Sequence, residues 1–228
     1  MDGSNSLVSE LAGDDYYVAQ FKTTELAIFS YYIESNKECL IIDPLFNHKS
    51  YSDFISKRHS CLKFVLLTHY HADFVSSHNE FGVPIVMGPQ ALRAANKFKV
   101  RELKDGEELA LGKIRVGLIH TPGHTLESSC YLLKDSHHKQ IALFTGDTVF
   151  LGDVGRPDLA VGGNITSQDL AGMLFESVQK LRSLPEDLRL YPGHGSGSAC
   201  GKSIGGGNFC TLGAQASKNY GFLIKDKA

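Results

Sequence analysis

Four apolar segments of this sequence each end in a histidine or an aspartate, and that pattern restricts the fold more than any other feature. The segments are LLTHYHAD (66–73), LIHTPGH (118–124), LFTGD (143–147) and LYPGH (190–194). Short apolar runs predict buried strands, and the backbone at a strand's end holds a side chain rigidly while it still reaches solvent. A fold that gathers these strand ends at one edge would assemble imidazoles and carboxylates into one site.

The rest of the pattern predicts an α/β protein. Apolar runs predict strands at 16–21, 26–33, 39–43, 62–69, 84–88, 107–111, 113–121, 128–133, 140–147 and 189–194. Helical spacing predicts helices at 47–59, 89–98 and 166–184, the last capped by Thr166 or Ser167, and a further helix after the glycine-rich loop 195–207. Two strand-rich halves, each followed by helices, indicate sheets packed together with helices outside.

Charge and apolar content exclude several classes of function. The chain has 23 basic and 25 acidic residues and a net charge of −2, which predicts neither nucleic acid nor a membrane as partner. No segment approaches the roughly 18–20 apolar residues of a membrane helix. The polar amino terminus resembles neither a signal nor a transit peptide, and the five scattered cysteines favour reduced thiols. We expect a cytoplasmic protein, with a mitochondrial or other organelle matrix as the alternative.

Each of the four segments is weak evidence for a site when taken alone. An HxH at a strand end is commonly a surface or core feature, and TPGH, YPGH and TGD fit ordinary turns. All four at strand ends in one chain favour a metal site. Imidazole and carboxylate donors suit Zn(II), while two histidines with one carboxylate suit Fe(II) with open coordination positions.

The order of these blocks resembles that of the metallo-β-lactamase superfamily. THYHAD is similar to its HxHxDH signature, TPGH to its next histidine block, TGD to its bridging aspartate and YPGH to its last histidine. The resemblance implies a four-layer αββα sandwich, a single domain over 1–228, with the metal at the edge of the two sheets. Within the superfamily, GDVGRPDL (152–159) and GSACGK (197–202) resemble persulfide dioxygenases and their rhodanese-linked bacterial relatives.

The resemblance also implies a ligand set. Persulfide dioxygenases bind one iron, and carrying their ligands over gives His69, His124 and Asp147. The remaining residues of the blocks would orient ligands and water or serve as alternative metal ligands; they are His71, Asp73 and His194. We expect one Fe(II) per chain, with Zn(II) as the alternative because an HxH pair also binds zinc. Phe74 stands where two-metal members such as glyoxalase II carry a histidine, so a standard second site is not expected.

Two further residues are candidates for catalysis. Arg156, in GDVGRPDL, is predicted to place positive charge near the substrate, and the alternative is a structural pairing with Asp153 or Asp158. Cys200, in GSACGK, is predicted to line the pocket or touch the persulfide, and the alternative is a buried core thiol.

The resemblance implies oxidation of glutathione persulfide, or a similar low-molecular-weight persulfide, by O₂ to sulfite and thiol. One alternative is a zinc-dependent thioester hydrolase of the glyoxalase II type, and another is a non-catalytic sensor domain that binds a metal or a persulfide. The expected partners are the small-molecule persulfide and O₂, with a separate sulfurtransferase as a further source of persulfide. Dimers are common in the superfamily, so a homodimer is also an expectation.

Overall fold

The chain folds around two β-sheets. The computed structural model describes residues 5–23, 27–93 and 99–226. Seven strands form the first sheet in chain order: β1 (Ser6–Ala12), β2 (Tyr17–Lys22), β3 (Phe29–Ser35), β4 (Glu38–Ile42), β5 (Cys61–Leu66), β6 (Ile85–Met87) and β7 (Val100–Glu102). Six strands form the second sheet, also in chain order: β8 (Glu108–Leu111), β9 (Ile114–His120), β10 (Ser129–Lys134), β11 (Gln140–Gly146), β12 (Arg189–Pro192) and β13 (Cys210–Thr211).

The described helices connect and cover these sheets. They are α1 (His48–Arg58), α2 (Ser167–Leu181), α3 (Leu212–Lys218) and α4 (Tyr220–Leu223), with 3₁₀ turns at His78–Glu80 and Ala91–Arg93. Helix α1 connects β4 to β5 and α2 connects β11 to β12, and both strand pairs are parallel. Within the described ranges, no helix combines the length and apolar character needed to cross a membrane.

The two sheets lie between two outer layers of helices, and apolar side chains fill the three spaces between these four layers. Between the sheets, residues such as Tyr31 and Phe144 pack edge-on with ring centroids 4.9 Å apart. Outside the first sheet, Tyr51 and its neighbours on α1 pack against the far face of β2 and β3. Outside the second sheet, Leu174 and Val178 of α2 join α3 and α4 in covering β10 and β11. The predicted αββα four-layer sandwich is confirmed.

The predicted elements differ from the observed ones mainly at the edge strands of the two sheets. Strand β1 has a mostly exposed or half-buried sequence, SLVSELA, so it presents no continuous apolar run, yet it pairs antiparallel with β2. The short strands β7 and β13 were not predicted for a similar reason, since backbone pairing rather than apolar burial defines them. The helix predicted at 89–98 is a 3₁₀ turn at Ala91–Arg93, and 94–98 lie outside the described residues.

The predicted gathering of strand ends occurs at one edge of the sandwich. The carboxyl ends of β5, β11 and β12 lead directly into His69, Asp147 and His194. The sheets also join there, because the Phe29 amide donates to the Gly193 carbonyl over 2.8 Å. Each of these three ligand-type side chains therefore lies within three residues of the end of a buried strand.

Candidate metal centre

Three buried side chains converge at this edge: His69, His124 and Asp147. Oδ2 of Asp147 lies 3.8 Å from Nε2 of His69 and 3.6 Å from Nε2 of His124. Their donor atoms all lie within 4.8 Å of one another, and each residue is buried. Such spacing fits a single ion between three donors that do not touch each other.

Hydrogen bonds select the tautomer of each histidine. Nδ1 of His69 lies 3.0 Å from Oγ1 of Thr68, whose hydroxyl donates to Oδ2 of Asp43 over 2.7 Å. Because that hydroxyl proton goes to Asp43, His69 must donate from Nδ1. Nδ1 of His124 donates to the Arg156 carbonyl over 3.0 Å. Both imidazoles therefore keep the Nε2 lone pair for a metal, an arrangement typical of metal-binding histidines.

Asp147 provides the test of whether a metal fits. Its Oδ1 accepts a 2.8 Å hydrogen bond from Nδ1 of His194, but its buried Oδ2 has no hydrogen-bond partner among the described residues. A buried carboxylate oxygen without a partner is costly, so a cation at this point would satisfy it. The residues present therefore fit a metal ion bound by Nε2, Nε2 and Oδ2.

His194 links two carboxylates beside this cluster. Its Nδ1 faces Asp147, and its Nε2 lies 2.8 Å from Oδ2 of Asp73. Burial acts to lower the pKa of His194, but the two carboxylates outweigh it and raise the pKa to about 10. Burial alone would raise the pKa of Asp147, whereas the charge of His194 holds it well below its usual range. His194 therefore interacts with the Asp147 carboxylate and is not itself one of the three donors around the cavity.

His71, the second histidine of the HxH pair, is held away from the cluster. Its Nε2 lies 3.0 Å from Oδ1 of Asp43, an ion contact without the alignment of a hydrogen bond. Burial acts to lower the pKa of His71, but the Asp43 carboxylate outweighs it and the pKa is raised. The imidazole lies between the rings of His69 and Phe74, at centroid distances of 4.2 and 4.4 Å.

Asp43 and Thr68 belong to the site but were not identified from the sequence. Asp43 follows β4 with a φ of 49°, a left-handed conformation that aspartate tolerates. It accepts from both the amide and the hydroxyl of Thr68, over 2.8 and 2.7 Å. The signal was present, since CLIID (39–43) is a fifth apolar strand that ends in an aspartate.

A sequence model of the metallo-beta-lactamase superfamily matches residues 23–194, from the end of β2 to the last histidine of the site. The chain belongs to that superfamily. It is thereby a member of a superfamily of metal-binding enzymes, and the His/Asp cluster lies where the superfamily blocks meet.

Individual relatives carry different names. The hydroxyacylglutathione hydrolase of Brucella anthropi is 38% identical over 144 residues, which are 61% of this chain and 50% of the relative. The chain therefore spans about half the length of that curated relative. A metallo-beta-lactamase from Staphylococcus aureus subsp. aureus COL is similar at a TM-score of 0.84 and 30% identity, over 94% of this chain and 65% of that one. ETHE1 from Myxococcus xanthus, at a TM-score of 0.72 and 24% identity over 89% and 82% of the chains, shares the fold.

The backbone packs so closely against Thr68 and Asp147 that two positions require glycine. Gly146 has a φ of +48°, and a Cβ there would lie 2.4 Å from Oγ1 of Thr68. A Cβ at Gly193 would lie 2.6 Å from Oδ1 of Asp147. Both contacts are too short for any side chain, so the TGD and YPGH turns bring their backbones directly against the site.

A hydrogen bond joins the backbones of Arg156 and Cys200, and their side chains have different partners. The Arg156 guanidinium forms two hydrogen bonds to Asp158, which raise its pKa, so its charge is shared with a carboxylate. Its backbone carbonyl orients His124, and its amide donates to the Cys200 carbonyl over 3.1 Å. Cys200 is buried, with Sγ 3.9 Å from Oδ2 of Asp73. The catalytic roles of both residues stay predictions.

Proposed function

We propose that this chain is a mononuclear non-haem iron dioxygenase that oxidises a low-molecular-weight persulfide, such as glutathione persulfide, to sulfite and thiol. The observation that supports it best is the three-donor cluster of His69, His124 and Asp147, from which Asp43 holds His71 away. Two imidazoles and one carboxylate with open positions suit Fe(II) that binds both O₂ and an anionic substrate. A four-donor arrangement that included His71 would instead favour zinc.

In this proposal the balanced reaction is R–S–S⁻ + O₂ + H₂O giving R–SH, sulfite and one proton. Iron, when bound, supplies the redox centre at which O₂ and the soft terminal sulfur react. The iron would be held by Nε2 of His69, Nε2 of His124 and Oδ2 of Asp147. The hydrogen bonds at Nδ1 of both histidines keep their imidazoles in place. Asp73, whose side chain is 34% exposed, connects the buried His194 to solvent.

A zinc-dependent thioester hydrolase is the second candidate. The name of the Brucella anthropi relative, hydroxyacylglutathione hydrolase, favours it. Against it stands Phe74, which offers no lone pair at the position of a second-metal ligand and lies against the ring of His71. A hydrolase would have to work with one zinc ion and the water bound to it.

One paired assay separates these candidates. Protein purified without oxygen and loaded with Fe(II) is mixed with glutathione persulfide and O₂, and zinc-loaded protein is mixed with a hydroxyacyl thioester of glutathione. We expect oxygen uptake matched by sulfite from the first sample and no thioester cleavage from the second. Thioester cleavage without any oxygen uptake by the fully iron-loaded protein would replace the dioxygenase by the hydrolase.

A further inference from the structure

Two loop segments beside the candidate metal centre, 151–156 and 200–205, run antiparallel to each other. Both lie outside the strands of the two sheets. The hydrogen bonds at the ends of this pair run from the Arg156 amide to the Cys200 carbonyl over 3.1 Å and from the Gly205 amide to the Leu151 carbonyl over 2.7 Å. Both bonds fit one antiparallel register, so the two segments form a short ribbon.

A side chain closes the middle of this ribbon. In the same register Asp153 lies opposite Ser203, and the Ser203 amide donates to Oδ2 of Asp153 over 2.6 Å. The other oxygen, Oδ1, accepts from the Val154 amide over 2.8 Å. Hydrogen bonds to a carboxylate are about twice as strong as those between neutral groups. Asp153 is therefore the strongest link between the two segments.

The Asp153 carboxylate is fully buried and depends on these amides. Its side chain belongs to a residue that is 0% exposed, and Arg156, the cation nearest in sequence, pairs with Asp158 instead. Glycine at position 201 lets the backbone approach, because a Cβ there would lie 2.8 Å from Oδ2 of Asp153. A buried carboxylate is costly without hydrogen bonds, so this one holds in place the segment that donates to it.

The ribbon carries two groups of the metal centre. The Arg156 carbonyl accepts the hydrogen bond from Nδ1 of His124 that orients this imidazole. The Cys200 thiol lies beside the Asp73 carboxylate, with 3.9 Å between Sγ and Oδ2. Both groups lie at the same end of the ribbon, three residues from the Asp153 hydrogen bond. Their positions therefore depend on the ribbon staying closed.

We propose that Asp153 is a positioning residue of the metal centre. By keeping the ribbon closed, its carboxylate holds the Arg156 carbonyl against Nδ1 of His124. It also keeps the Cys200 thiol beside Asp73. Asp153 acts through the backbone of both segments, and the inference does not depend on which reaction the site catalyses.

Site-resolved labelling of the cysteines with a maleimide tests the effect on Cys200. Asp153→Asn keeps the size of the side chain but replaces one accepting oxygen by a donor. We expect Cys200 to be labelled roughly tenfold faster in this variant, the factor for losing one hydrogen bond to a charged group. The buried Cys39 and Cys130, on β4 and β10, should keep their rates. Ser203→Ala, which retains the donating amide, is the matched control and should label like the wild type. No increase at Cys200, or an equal increase at Cys39 and Cys130, would overturn the proposal.

Titration of the metal-free protein with Co(II) tests the effect on His124. We expect Asp153→Asn to weaken Co(II) binding about tenfold, as changes behind a metal ligand commonly do. The visible absorption bands of the bound ion should also change, because the imidazole is less firmly oriented. Ser203→Ala should alter neither property. An affinity and a spectrum equal to those of the wild type would overturn the proposal.

Amide hydrogen exchange in the unmodified chain tests the central hydrogen bond independently of any variant. After correction for intrinsic rates, the Ser203 amide should exchange at least roughly tenfold more slowly than that of Lys202. The Lys202 amide has no acceptor among the described residues, whereas the Ser203 amide donates to Asp153. Equal corrected rates for the two amides would show that Asp153 does not hold this segment.

Discussion

One carboxylate, that of Asp43, gives the two histidines of the HxH pair different roles. It pairs with His71, and through the Thr68 hydroxyl it orients His69 toward the metal position. Two histidines that are one residue apart thus have different roles because only one of them contacts this buried charge. The division follows from electrostatics and hydrogen bonding rather than from the signature itself.

Replacing Asp43 tests this division and has a defined pH dependence. The pKa of His71 is raised in the folded protein, so its pairing stabilises the fold fully below about pH 6.5 and is lost as the pH rises through the raised value. We expect Asp43→Asn to lower the free energy of unfolding of the metal-free protein by about 1–3 kcal/mol near pH 6, and by less near pH 9. Urea unfolding at both pH values measures this. The exposed-site control Asp53→Asn should change it by less than about 0.5 kcal/mol, and a pH-independent loss for Asp43→Asn would contradict the pairing.

Asp147 is the residue on which the metal assignment depends most. Its Oδ2 is the only oxygen among the three donors of the candidate metal centre, and it lacks a hydrogen-bond partner among the described residues. We expect Asp147→Ala to abolish metal retention and the proposed dioxygenase activity while the circular dichroism spectrum persists. Metal analysis after desalting measures this, with Asp158→Asn, which breaks only the Arg156 pair, as the control. Stoichiometric iron in Asp147→Ala would refute the ligand set.

Helix α2 supports the site from behind. Its Ser177 hydroxyl donates to the carbonyl of Pro122 over 2.8 Å, in the turn that presents His124. The helix begins at a capping box, in which the Thr166 hydroxyl accepts from the Asp169 amide and the Asp169 carboxylate accepts from the Thr166 amide. Four of its leucine and valine side chains are buried against the second sheet: Leu170, Leu174, Val178 and Leu181. Local capping and apolar spacing agree here, so this helix was predictable.

Removal of the cap should destabilise the protein without altering the metal site. We expect Thr166→Ala to lower the free energy of unfolding by about 1 kcal/mol, because the Asp169 amide at the helix start loses the hydroxyl that accepts its hydrogen bond. The neighbouring Ser167→Ala, at an exposed position within the first turn, is the control and should have almost no effect. Urea unfolding of the metal-free proteins measures both; equal values for the two variants would mean that the capping box does not contribute.

The two halves of the molecule are joined by tyrosine hydroxyls that cross the core between the sheets. Tyr31, on β3, donates to the Pro192 carbonyl on β12. Tyr131, on β10, donates to the Leu67 carbonyl just beyond β5 over 2.8 Å. Both accepting carbonyls lie in the segments that lead to site residues. These hydrogen bonds therefore join the two sheets near the edge where the metal donors meet.

The loss of one crossing hydroxyl should weaken the whole fold. We expect Tyr131→Phe to lower the free energy of unfolding by about 1–3 kcal/mol, because a buried carbonyl loses its donor while the ring packing remains. The unfolding transition should stay single, with an unchanged denaturant slope, because both sheets share one core. Urea unfolding followed by fluorescence and by circular dichroism tests this, and two separate transitions would contradict a single cooperative unit.

Sequence reasoning recovered the elements whose signals are local. Apolar strands such as CLII and IALF, and the helical spacing in α2, are written in consecutive residues and were recovered within a few positions. Edge strand β1 and the 3₁₀ turn at Ala91–Arg93 were not, because their conformations depend on neighbouring strands and loops. The ligand-type residues at strand ends were identified for the same local reason as the strands.

The sequence by itself indicated sheets packed together with helices outside, since strand and helix periodicity are local properties. The order of its histidine and aspartate blocks carried the resemblance that implied the superfamily, its four-layer sandwich and the residues at its edge. Only the tertiary structure decided the partner of each side chain. It set His71 against Asp43, joined His194 to two carboxylates, paired Arg156 with Asp158 and brought Cys200 beside Asp73. All of these contacts except the Arg156–Asp158 pair join residues far apart in the chain, and the burial of His71, His194 and Cys200 strengthens them by excluding water. No pattern of neighbouring residues encodes them.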